Sequence, residues 1–147
     1  MPQGRFLLAA AATAAVSAVA LSYIQHATAP AGTLVEYSAQ DLCGASYRII
    51  DQHHLAGTGD NRGTTAYLGY DQASKSYCTI TVRDRQTAPT DLATRLQATG
   101  YPADTRTAAA ADYADPVFTY PRGSCVTWGG TIQHTTWDTP TPHCSPS

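Results

Sequence analysis

Three sets of side chains in this sequence have the types that chemistry uses. Asp51, His53 and His54 stand almost together. Alternation along a strand would put Asp51 and His53 on one side, as a carboxylate-oriented imidazole requires for general acid–base work. A serine or threonine would then have to be the nucleophile, and no Gly-x-Ser-x-Gly elbow marks one. A strand-end histidine pair that runs into a polar loop is more often solvated than catalytic. His134, Asp138 and His143 form a looser set with the chemistry of divalent-metal ligands. Their spacing fits no standard site and the tail around them is rich in proline, so neither a metal nor another cofactor is expected. The third set is aromatic. Trp137, among threonines and Asp138, and Tyr77, outward by strand alternation, could offer rings to a sugar or to cell-wall polymer. Trp128 alternates with Val126 and Ile132 and reads as core instead. The expectation is a protein without catalytic residues.

The cysteines say more. Cys43, Cys78, Cys125 and Cys144 form an even set with no CxxC pair and no zinc-type spacing to a histidine. In an exported chain such a set is a disulfide framework. Export is read from residues 1–31: Arg5 as a short positive region, an uncharged alanine-rich run over residues 6–21, then Ala27, Thr28 and Ala29. Cleavage is expected after Ala29 or after Ala31. The run is marginal for crossing a bilayer, so no membrane attachment is expected once the signal is removed. Residues 32–41 read as an N-terminal arm, either pairing as a first strand or free to add to another protein's sheet edge. Residues 42–147 read as a single domain, small enough that its core needs crosslinks.

The elements that must position these groups are strands. Tyr47-Arg48-Ile49-Ile50-Asp51 puts Tyr47 and Ile49 on one face, and Thr65-Ala66-Tyr67-Leu68-Gly69-Tyr70 follows after a polar loop rich in glycine. Tyr77-Cys78-Thr79-Ile80-Thr81-Val82-Arg83 alternates most cleanly, with Cys78, Ile80 and Val82 inward. In a three-strand meander the first and third strands start at the same end, which brings Cys43 to Cys78 and leaves Cys125 for Cys144. The stretch from Thr90 to Leu96 fits a helical turn or a strand equally, and the alanine-rich stretch from Thr105 to Asp112 reads as a loop or helical turn. Val117-Phe118-Thr119-Tyr120 and Cys125-Val126-Thr127-Trp128-Gly129-Gly130-Thr131-Ile132 form a last hairpin across Pro121-Arg122-Gly123. The Gly129-Gly130 pair inside that strand marks a bulge or a close backbone approach. An all-β fold is expected, a small antiparallel β-sandwich or barrel of six or seven strands with two disulfides.

Charge narrows the partners. Nine basic and eleven acidic residues give a net charge of -2 with no basic patch, which argues against nucleic acid. No basic amphipathic helix points to a membrane surface.

The runs Leu42-Cys43-Gly44 with Tyr47, Tyr67-Leu68-Gly69-Tyr70-Asp71, Cys78-Thr79-Ile80-Thr81-Val82-Arg83 and Cys125-Val126-Thr127-Trp128-Gly129-Gly130-Thr131-Ile132 resemble the spore-associated protein A family. The resemblance runs from about Leu42 to Cys144, and its most specific part is Cys-x-x-Trp-Gly-Gly. Gly57 to Gly63 and the alanines near Thr107 depart from it. It implies a small exported β protein on the spore or cell surface, and it carries over no catalytic residues. The function expected is contact with another secreted or surface protein, as a spore or hyphal surface component or as an adaptor in a larger secreted assembly, one that displays toxins among the options. A carbohydrate or cell-wall binding module using Trp137 and Tyr77 is the alternative. A small hydrolase using Asp51 and His53, or a protease inhibitor, has less behind it.

Overall fold

A computed structural model describes residues 37–59, 63–84 and 90–145. The expected signal peptide and residues 32–36 of the arm lie outside the described residues. Among the described residues nine strands follow one short helix: α1 (Ala39–Cys43), β1 (Arg48–Leu55), β2 (Thr64–Asp71), β3 (Ser76–Arg83), β4 (Leu92–Ala98), β5 (Asp104–Ala108), β6 (Tyr113–Thr119), β7 (Cys125–Ile132), β8 (Thr135–Asp138) and β9 (His143–Cys144). They form two antiparallel sheets, one in the order β1-β2-β3-β6 and the other in the order β5-β4-β7-β8. β9 continues along the same edge of β7 as β8, opposite Cys125 and Val126. Of the sandwich or barrel expected, the chain forms the sandwich, with more strands than the six or seven read from the sequence because the short β5, β8 and β9 carry little local signal. Thr90 to Leu96 resolves in favour of a strand, and part of the alanine-rich stretch is a strand as well. β5 has little strand propensity of its own; its pairing with β4 from Leu92↔Ala108 to Leu96↔Asp104 supplies the conformation.

Between the sheets lies one core: Leu55, Ala66, Leu68, Tyr77, Leu92, Leu96, Ala98, Ala114, Val117, Val126, Trp128 and Ile132. A second, smaller core forms on the other face of the first sheet. There α1 brings Ala39 and Cys43 onto Cys78, Ile80 and Val82, with Tyr37, Leu42, Tyr47, Ile49, Tyr67 and Tyr113 around them. The Tyr37 and Tyr113 rings meet at 4.9 Å. Tyr37 and α1 thus belong to the folded domain, and the arm read over residues 32–41 loses its last residues to it.

Because both faces of β3 are covered, the assignment of Tyr77 must be corrected. It is not an outward aromatic: it is 2% exposed, with its ring 4.8 Å from Tyr70 in the inter-sheet core. Alternation had separated the two faces of β3 correctly, but Thr79 and Thr81, read as outward, also lie buried between the sheets. Polar residues on one strand face do not imply solvent when a second sheet covers them.

Both edge strands of the first sheet carry a register break, in β1 between Ile49 and Asp51 and in β6 opposite Thr79 to Thr81. Such breaks blunt edges that would otherwise recruit further strands. In β6 the break contains Pro116, which cannot donate to a ladder. At that point Thr94 of the opposite sheet takes the backbone N–H of Thr81 on its Oγ1 at 2.9 Å. Thr94→Val keeps the shape and removes the acceptor, leaving a buried donor unpaired. The expected loss is about 1–3 kcal/mol of unfolding free energy. Urea denaturation would show it as a lower midpoint at unchanged slope; a loss below about 0.5 kcal/mol would mean that this bond contributes nothing.

Candidate functional site

Three of the polar residues singled out by type, Asp51, His53 and His143, meet where the sandwich closes along one side. There the edge strand β1 of the first sheet faces β8 and β9 of the second. The break in β1 decides what it presents. Ile49 pairs with Gly69 on the α1 side, but two residues later Asp51 pairs with Leu68, whose side chain faces the second sheet. One extra residue, Ile50, has exchanged the faces. Asp51, His53 and Leu55 therefore point into the inter-sheet seam, opposite Leu68, Ala66 and Thr64.

From the other sheet come Trp137, opposite Gly130, and His143, opposite Val126. His143 Nε2 lies 2.7 Å from Asp51 Oδ2. His53 stacks flat on Trp137, with ring centroids 3.8 Å apart and planes 7° from parallel. Trp137 in turn meets Trp128 edge-on at 5.0 Å. The seam is thus a hydrogen-bonded pair beside a stack that ends on the buried Trp128. Each of its groups is engaged with the opposite sheet, so the seam's first chemical role is to hold two edges together.

The acid–base pair read from the sequence is not the one that forms. Asp51 orients His143, not His53, and His53 is occupied by the indole. His54 faces away, toward Asp84, with Nδ1 and Oδ2 2.8 Å apart. The second predicted set also disperses. Asp138 sits on the outer face beside Gly129 and accepts from Arg95 at 2.9 Å, and His134 is exposed in the turn between β7 and β8. Only His143 of that set reaches the seam. Among the described residues no three His, Cys, Asp or Glu groups are gathered so as to hold a metal ion. Trp137 is half-buried with one ring face against His53, so it is not the open platform its threonine neighbours suggested.

Cysteines frame the domain as expected. Cys43 is joined to Cys78, fastening α1 to β3, and Cys125 is joined to Cys144, fastening β9 directly across β7. The second bridge places His143, the residue before Cys144, at the seam. Away from it, the β2–β3 turn is organised by Asp71, whose carboxylate accepts from Ser74 Oγ, the Ala73 N–H and Ser46 Oγ. The Ser74 hydroxyl, foremost among these donors, holds that carboxyl below its ordinary value.

Strand alternation alone could not find the Asp51–His143 pair, because the break at Ile50 changes the face of Asp51. The groove beside Tyr101 and Tyr120 was missed for a different reason: its residues come from two turns far apart in sequence. The turn at Pro121-Arg122-Gly123 was legible, but it carries the chain from β6 in the first sheet to β7 in the second, so the last hairpin expected there does not form. Its exposed neighbours were the available signal.

Spore-associated protein A of Streptomyces coelicolor is 32% identical to this chain over 105 residues, an alignment covering 71% of the chain and 64% of that relative. The chain therefore spans less than two thirds of the relative's length. No protein-family model matches the chain, and no solved structure matches it. This identity over most of its length, and the Cys-x-x-Trp-Gly-Gly strand at the centre of its second sheet, make the chain similar to the spore-associated protein A family.

Proposed function

We propose that this chain is a non-catalytic, exported surface protein of the spore or hypha that acts through protein–protein contacts. The name of its relative supports the surface association. The contact reading rests on one observation: the chain enters the domain at a clamped point. The disulfide from Cys43 fixes α1 against β3, so whatever precedes Tyr37 departs from a rigid root on the outer face of the first sheet. Beside that root is a groove of about 510 Å³ lined by Tyr37, Ser38, Gln40, Ile49, Gln52 and Tyr67. A segment held in this way would reach a partner while the domain stays folded, which suits an adaptor in a larger secreted assembly.

Non-catalysis has its support in the seam, where the acid–base residues are spent on closing the sandwich. The test is recovery of partners from culture supernatant by the full protein and by a form lacking residues 32–36, which leaves Ser38 and α1 intact. A stoichiometric partner recovered by the first and lost by the second is the expected result. Absence of any partner with both forms would remove the adaptor reading.

A further inference from the structure

At one end of the sandwich the turn after β4 and the turn after β6 stand side by side. They enclose a groove of about 320 Å³ lined by Ala98, Tyr101, Thr119, Tyr120 and Arg122. Tyr101 and Tyr120, at 56% and 57%, are the most exposed large apolar side chains among the described residues. Large aromatic rings left in water at neighbouring turns are the informative exception to burial.

The turns that carry them are tied down. Tyr101 N–H donates to Ala98 O, and Gln97 Nε2 donates to Tyr101 O at 2.9 Å. Thr99 gives both its N–H and its hydroxyl to Cys125 O. On the other side Ser124 N–H closes a turn onto Pro121 O, with Arg122 and Gly123 both in the left-handed region, at φ 51° and 83°. Arg122 is exposed at the tip of that turn. Arg83, Arg95 and Arg106 each face an aspartate, whereas Arg122 has no ion pair among the described residues and no carboxylate lines its groove. The cation is therefore available to a ligand.

We propose that this groove binds a carboxylated sugar residue of an anionic polysaccharide. The tyrosine rings suit the apolar C–H face of a sugar, and the Thr119 and tyrosine hydroxyls suit its hydroxyl groups. The planar guanidinium of Arg122 matches a carboxylate. The groove volume falls at the lower end for a small-ligand site, which fits one or two sugar rings. An acidic peptide is the weaker fit. A flexible carboxylate-rich peptide such as polyglutamate has the charge but no rigid apolar ring face to lie against Tyr101 and Tyr120. The proposal is independent of the arm and would stand if the arm bound nothing.

The experiment is isothermal titration of the purified protein with oligogalacturonate, a neutral gluco-oligosaccharide and a polyglutamate peptide. Saturable binding to oligogalacturonate alone is expected, weakening as salt is raised. Arg122→Gln and Tyr120→Ala should each weaken it roughly tenfold or more. Lys75→Gln, which removes an exposed cation from the β2–β3 turn, should leave it unchanged, and circular dichroism would confirm that each variant is folded. Arg122→Lys keeps the charge without the fork and should fall between. No saturable oligogalacturonate binding, equal binding of polyglutamate, or indifference to both Arg122→Gln and Tyr120→Ala would overturn the proposal.

Discussion

Replacing Gly130 with valine is expected to remove about 3 kcal/mol or more of unfolding free energy, among the largest effects of any single substitution in this chain. Gly130 lies on the inner face of β7, between Thr94 of β4 and Trp137 of β8. A Cβ built there would stand 2.7 Å from Thr81 Oγ1 and 3.0 Å from Ala66 Cβ, both on the opposite sheet. Neither neighbour is the end of a flexible side chain, so relief requires the sheets to separate. Separation would also pull Trp137 from His53 and His143 from Asp51. Denaturant unfolding would give the loss, and the near-ultraviolet circular dichroism of the two tryptophans would report the loosened seam. A loss below about 1 kcal/mol would mean that the sheets are not held at this distance. Gly129, its neighbour on the outer face, is constrained by the β8 backbone, where a Cβ would collide with Trp137 O. The glycine pair is therefore a close approach on both faces, and the paired register of β7 shows no bulge there.

Removing the bridge between Cys43 and Cys78 by double substitution to alanine is the second large effect. The bridge closes a separation of 35 residues, for which the chain-entropy relation gives about 4 kcal/mol. That is a major fraction of the roughly 5–15 kcal/mol by which a domain is stable. Removing Cys125–Cys144, with a separation of 19, is expected to cost about 3 kcal/mol by the same relation. The two losses should differ in location as well as size. α1 rests on β3 through Ala39 and Cys43, so the first variant should expose the chain near Tyr37 to limited proteolysis before the domain unfolds. The second should instead free the β9 tail and the Asp51–His143 pair. Cleavage near Tyr37 no faster than in the parent protein would show that α1 holds without its disulfide.

Much of the scaffold could be read from residue order because it depends on short-range rules. Alternation in β3 and β7 identified two strands and separated their faces, and Trp128 was correctly assigned to the core. The cysteine pairing followed from a meander in which neighbouring strands pair in sequence, which is what β1, β2 and β3 do. Gly129-Gly130 signalled a bulge or a close approach, and the unbroken register of β7 leaves the close approach.

What lay beyond reach depends on which surface covers which. Tyr77 sat on the strand face with threonines, and only the second sheet lying over that face makes it core. β5 has little strand propensity of its own, and β8, although its threonines and tryptophan suit a strand, is only four residues long; both take their shape from neighbours already in place. The clearest case is the seam. Asp51 and His53 are two residues apart on one strand, as expected, but a single unpaired residue at Ile50 turns them from the helix-covered face to the one that meets Trp137 and His143. Strand periodicity is a local property of the backbone, whereas the position of a register break is set by how two edges must meet. That meeting was decided by the packing of one sheet on the other.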